Sequence, residues 1–168
     1  MHRKRREKTR LKVPEALVER INSEHGDWYG PRFIVIGNLY ALEPHAQMHA
    51  EFGLLPDDYT VLANVHDWGP MTANVICAIT GRPKNSISRA VTRLADAGLL
   101  HAAPDTGDRR RVNLSLTDEG RAVRDRVARH YRTREQQMFG FLSKTELETL
   151  DQLLLKILRH WGRNNLEY

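Results

Sequence analysis

Between Arg82 and Thr117 the periodicity of this sequence changes once, from helical to strand-like, and that change restricts the fold more than any other feature. Ile87, Val91 and Leu94 recur at spacings of four and three, which makes one apolar stripe on a helix. Pro83 suits a first helical position, where its missing N–H costs nothing. Gly98 is placed as the glycine that ends the helix. Lys84, Asn85, Ser86, Ser88, Arg89 and Arg93 cover the opposite face, with no acid before Asp96. Residues 99–102 and 112–116 then read as two short strands. Between them Pro104-Asp105-Thr106-Gly107-Asp108 is turn chemistry, followed at once by Arg109-Arg110-Arg111. Such a helix can enter a major groove about 12 Å wide, and such a hairpin can reach sideways into a minor groove.

The distribution of charge agrees. Residues 1–12 hold seven Lys or Arg against one Glu, and residues 82–111 hold seven against three Asp. The remainder holds twelve cations and seventeen acids, so the net +5 is a basic tail and one basic patch on an acidic body. That asymmetry is a footprint for a polyanion. The tail lacks apolar periodicity and is expected to be disordered when free, either tracking phosphates or simply solvated. With Cys77 as its one cysteine the chain has no intrachain disulfide and reads as cytoplasmic. No stretch approaches eighteen apolar residues.

The other elements follow in order. Leu17, Val18 and Ile21 predict a short helix over residues 14–23. Residues 32–43 predict a second, apolar nearly all round through Phe33-Ile34-Val35-Ile36, which wants cover from a partner subunit. Pro44 should bend or interrupt it, with helix resuming through Met48. Residues 56–68 form a third, with Tyr59, Leu62, Val65 and Trp68 inward and Asp57 and Asp58 complementing the helix dipole. Thr72 caps a short helix over residues 73–80, on whose inner face Cys77 acts as a small hydrophobe. Thr117 caps a long helix with a Val123, Val127, Tyr131 stripe, its many arginines solvated or paired, as in Asp125–Arg129. Ser143-x-x-Glu146 is a capping box for the last helix. The apolar face of that helix, from Leu147 to Trp161, exceeds what a two-layer lobe can cover.

The segments N-S-I-S-R-A-V-T-R-L-A-D-A-G-L-L (85–100) and D-R-R-R-V-N-L-S-L-T-D-E-G (108–120) resemble the winged-helix regulators of the multiple antibiotic resistance regulator (MarR) family. The resemblance covers the chain from about Ile36 to Trp161. It implies a mostly helical fold with a small β-hairpin wing, a winged-helix lobe over about 56–117, and dimerisation helices over about 13–55 and 118–168 that interleave between two chains. It further implies a homodimeric, sequence-specific binder of an inverted-repeat operator in double-stranded DNA, a ligand-released repressor with no cofactor. Asn85, Ser86, Ser88 and Arg89 are then the base-edge readers, and Lys84 and Arg93 the phosphate contacts. Arg110 or Arg109 enters the minor groove beside Arg111, with Asp108 holding the tip. Leu55 stands where the family carries a hydroxyl cap. Trp28, Tyr29, Arg32, Tyr40 and His66 are candidates for a pocket taking a small aromatic or anionic effector. Ile36-Gly37 is similar to urate-responsive members, with Thr60 where those carry an acid.

Three other readings compete. His45-x-x-x-His49 puts two imidazoles on one helical face if the helix survives Pro44, with His66 a possible third ligand, which would suit a zinc-responsive regulator. A winged helix can also serve as a protein-interaction module, although its recognition face would not need to be cationic. An enzyme is disfavoured, since no nucleophile–base spacing, phosphate loop or paired catalytic carboxylate is visible.

Overall fold

The computed structural model describes residues 29–104 and 111–165, with side chains through residue 160, together with Glu15, Val18 and Glu19, which are helical. The basic tail, Trp28, and Asp108, Arg109 and Arg110 lie outside the described residues. The chain divides into two units, residues 1–39 and 40–168. The described elements are α1 (Tyr29–Phe52), α2 (Pro56–Trp68), α3 (Ala73–Thr80), α4 (Lys84–Asp96), β1 (Leu100–Pro104), β2 (Val112–Leu116), α5 (Asp118–Phe139) and α6 (Lys144–Asn165). None of these helices is long and apolar enough to cross a membrane.

In the first unit, the opening of α1 exposes Phe33, Ile34 and Ile36, and the Arg32 guanidinium lies 5.6 Å from the centre of the Tyr29 ring. Of the two expected outcomes at Pro44, interruption does not occur. α1 continues to Phe52, with Pro44 and Met48 buried. A proline inside a helix removes one hydrogen bond and crowds the preceding turn, at about 3 kcal/mol. Burying Pro44 and Met48 offsets that cost, which sequence periodicity alone does not register.

The second unit has one core: Met48, Leu54, Val61, Leu62, Val65, Met71, Ile76, Ile87, Leu94, Leu99, Leu100, Leu114, Leu116, Val123 and Val127 all belong to it. On α4 it is Ile87, Ala90 and Leu94 that are buried, while Val91 is only half-buried. Cys77 packs half-buried against the same core. β1 and β2 pair antiparallel with Leu100 opposite Leu116 and Pro104 opposite Val112, so β1 runs two residues further than its pattern predicts. Met71 bridges Leu114 through two backbone hydrogen bonds, which ties the segment before α3 to the wing.

The caps mostly match their sequence signals. The Thr72 hydroxyl accepts from the Val75 N–H and the Thr117 hydroxyl from the Gly120 N–H. Ser143 and Glu146 close their box reciprocally, and the Ser143 hydroxyl and N–H, both donating to Oε2, hold the Glu146 carboxyl below its ordinary pKa. Gly98, at φ +71°, supplies the left-handed turn after α4. Pro83 differs by one place: its ψ of 138° is extended, and the helix starts at Lys84.

Candidate nucleic-acid interface

α4 presents a polar face because its apolar residues leave it no choice. With Ile87, Ala90 and Leu94 held inward, Asn85, Ser88, Arg89 and Thr92 fall at i, i+3, i+4 and i+7 on the opposite side, and all four are exposed. Sequence reasoning misses Thr92 because it is neither charged nor an amide; its place on the helix is the available signal. Lys84 is exposed at the first turn, and Arg111 is exposed at the foot of β2.

Two expected members of this surface sit differently. Ser86 is half-buried and faces a cleft against the start of α2, lined also by Leu55, Asp57, Arg82, Arg89 and Arg93. Arg93 is turned toward α2: its Nη2 lies 2.6 Å from Asp58 Oδ1 and its Nε 3.1 Å from the same oxygen. Its charge is therefore met by Asp58, while its side chain stays 42% exposed. Asp58 also accepts the Leu55 N–H at 2.7 Å, so the helix start that lacks a hydroxyl cap is capped by a carboxylate three residues later.

A second cleft, of about 290 Å³, lies among Tyr40, Tyr59, Arg124, Ala128, Tyr131, Arg132 and Glu135. Tyr59 and Tyr131 stack with centroids 4.7 Å apart and planes 10° off parallel, and Tyr40 tilts onto Tyr131 at 5.6 Å. Burial, followed by the charge and hydrogen bond of Glu135, pushes the Tyr40 hydroxyl up to about 12. Burial also raises Tyr59 and Tyr131. Arg124 is held by Asp67 at 2.6 Å and Asp125 at 3.2 Å, so the carboxylate expected to pair with Arg129 pairs with Arg124 instead. The Nε of Arg124 is buried without a hydrogen-bond partner among the described residues.

Of the effector candidates, Tyr40 lines this cleft, and His66 pairs with Asp67 at 2.9 Å. Tyr29 and Arg32 stack on each other in the first unit. Tyr59, Arg124 and Tyr131 carry no effector signal in the sequence, because they converge from helices far apart along the chain.

The geometry of the described residues does not support the metal reading. Helix does persist past Pro44, but His45 points its ring edge at Tyr131, 6.3 Å away, and burial followed by the Arg82 charge lowers its pKa. His49 is exposed, and His66 is taken by Asp67. Among the described residues no three His, Cys, Asp or Glu side chains converge.

Comparison with known proteins agrees with this geometry. The MarR family model matches residues 52–111. The HTH-type transcriptional regulator PecS of Dickeya dadantii is 35% identical over 157 residues, covering 88% of this chain and 94% of the relative. A MarR mutant from E. coli solved with operator DNA superposes with a TM-score of 0.68 at 19% identity, over 82% of this chain and 97% of that one. CouR from Rhodococcus jostii, solved with p-coumaroyl-CoA, gives 0.69 at 22% identity over 79% and 92%.

Proposed function

Because the chain belongs to the MarR family of winged-helix transcriptional regulators, we propose that it reads an inverted-repeat operator through α4 and the wing, and that a small aromatic anion releases it. It is a DNA-binding regulator, not an enzyme. The observation that carries the reading is the single exposed face of Asn85, Ser88, Arg89 and Thr92, set on a helix whose other side is core. Asn85 suits adenine and Arg89 suits guanine in the major groove. Lys84 and Arg111 suit phosphates, and Arg109 or Arg110 suits the minor groove, with Asp108 supporting the tip. The basic tail adds sequence-independent contacts. A regulator works beside the DNA it reads, and we place it in the cytoplasm.

The protein acts as a homodimer. Leu147, Leu153, Leu154, Ile157 and Leu158 of α6 are exposed in the single chain, as are Phe33, Ile34 and Ile36 of α1. A two-fold pairing that buries both surfaces is the commonest closed solution. For the effector, the Tyr59–Tyr131 stack offers an aromatic wall and Arg132 offers a cation for a carboxylate. This cleft, centred on Tyr40 and Tyr59, replaces the wider set of candidates as the proposed site.

Selection of bound duplexes from random DNA, repeated with a panel of aromatic acids, tests the reading. Asn85→Ala or Arg89→Ala should cost about 1–3 kcal/mol at particular base pairs. Lys84→Ala should weaken all sequences alike and flatten the salt slope by about one. Absence of any selected sequence would defeat the reading; release by no aromatic acid would defeat its effector half.

A further inference from the structure

The first turn of α2 carries two adjacent carboxylates, and both hold the recognition helix. Asp58 is 2% exposed. A carboxylate buried that deeply is costly unless it is paired and hydrogen-bonded. Asp58 meets that requirement across the fold, accepting from Nε and Nη2 of Arg93 in the last turn of α4 and from the Leu55 N–H on its own helix. Its neighbour Asp57 has Oδ1 3.3 Å from Nε of Arg82, just ahead of α4, an ion pair by distance without a hydrogen bond. One turn of one helix therefore grips α4 before its start and near its end. A roll of α4 about its axis would strain the hydrogen bonds of Arg93 to Asp58, and a shift of its start would strain the Arg82–Asp57 ion pair. Arg89 and Ser86 line the cleft between them, so any roll changes where Arg89 points.

We propose that Asp57 and Asp58 are positioning residues for sequence recognition. Without meeting a base, they set the roll of α4 and so which base edges Asn85, Ser88, Arg89 and Thr92 reach. The inference rests on α4 being the DNA-reading helix.

Charge and position make opposite demands, which gives the test its sign. Removing a carboxylate beside a polyanion should tighten binding to every duplex if charge alone mattered. Loss of position should weaken the selected operator and spare unrelated DNA. Asp58→Asn retains an oxygen for the Leu55 N–H and removes the charge that holds Arg93. Asp57→Asn does the same to the more exposed pair with Arg82. Each variant is titrated against the selected operator and against an unrelated duplex over a range of salt, with the fold checked by circular dichroism.

For Asp58→Asn, operator affinity should fall about tenfold, the upper range for residues that act without touching the ligand. Asp57→Asn should fall in the same direction by less. Affinity for the unrelated duplex should hold or rise, and the salt slope should not change. Operator binding as tight as wild type in both variants would overturn the proposal, as would an equal loss on both duplexes. Should Asp58→Asn fail to fold, Asp57→Asn decides by the same criteria. A wild-type protein that selects no sequence would overturn the DNA-binding reading and this inference together; a selected operator held equally by wild type and variants overturns this inference alone.

Discussion

Gly120 shows how much one absent methyl group can decide. It sits in the first turn of α5, where glycine costs about 1 kcal/mol relative to alanine. Yet a Cβ built there would overlap the Leu99 carbonyl oxygen. The same carbonyl accepts the Thr117 N–H at 3.3 Å, and the Thr117 hydroxyl donates to the Gly98 carbonyl at 2.8 Å. The end of α4 and the start of α5 thus meet backbone to backbone. Gly120→Ala should lower stability by about 1–3 kcal/mol in denaturant titration, in spite of its better helix propensity. An alanine variant as stable as wild type would show that the approach relaxes without strain. The glycine is legible in the sequence as part of T-D-E-G; its reason is a contact with a carbonyl that lies before the wing hairpin. Arg93 teaches the converse. Its helical position puts it on the polar face, and only the fold reveals that it pairs with Asp58.

At the scale of elements, α1, α2 and α5 meet through Tyr40, Tyr59 and Tyr131. All three hydroxyls resist ionisation in the fold, Tyr40 to about 12 against an ordinary 10.0. A folded pKa raised above the unfolded one means that the associated stability is complete below pH 10 and is lost as pH rises through about 12. Thermal melts should therefore drop over that window, and Tyr40→Phe should reduce the drop. Tyrosinate absorbance of the folded protein should show these rings titrating late. Ionisation of every tyrosine together at the ordinary value would contradict the packing. The helices are legible from their stripes, although Trp68, expected inward, is 72% exposed at the end of α2, and Tyr131 reads as one more core residue, because a stripe marks an inward face without naming what that face meets.

At the scale of the whole molecule, the chain leaves unburied what a soluble monomer would cover. Leu154, 37% exposed, belongs to an α6 face whose apolar width is greater than any neighbour in its own chain covers. Leu154→Glu should yield monomer or unfolded chain, because a carboxylate buried without a partner costs several kcal/mol. Operator binding should be lost with α4 and the wing untouched, since paired half-sites roughly 34–36 Å apart need both recognition helices. Sedimentation at micromolar concentration separates the outcomes: a wild-type monomer, or a Leu154→Glu dimer, would end the two-chain account.

Local pattern suffices for the existence of the described helices other than the run of α1 past Pro44, for the hairpin, and for the cationic face of α4, because periodicity, capping and turn chemistry act within a few residues of chain. That α1 runs through Pro44, that Asp58 caps α2 and restrains Arg93, and that three tyrosines build one cleft were decided only by tertiary structure. Each of these depends on groups brought together by folding from distant parts of the chain. Burial raises the strength of such pairings far above anything their separate positions in the sequence express.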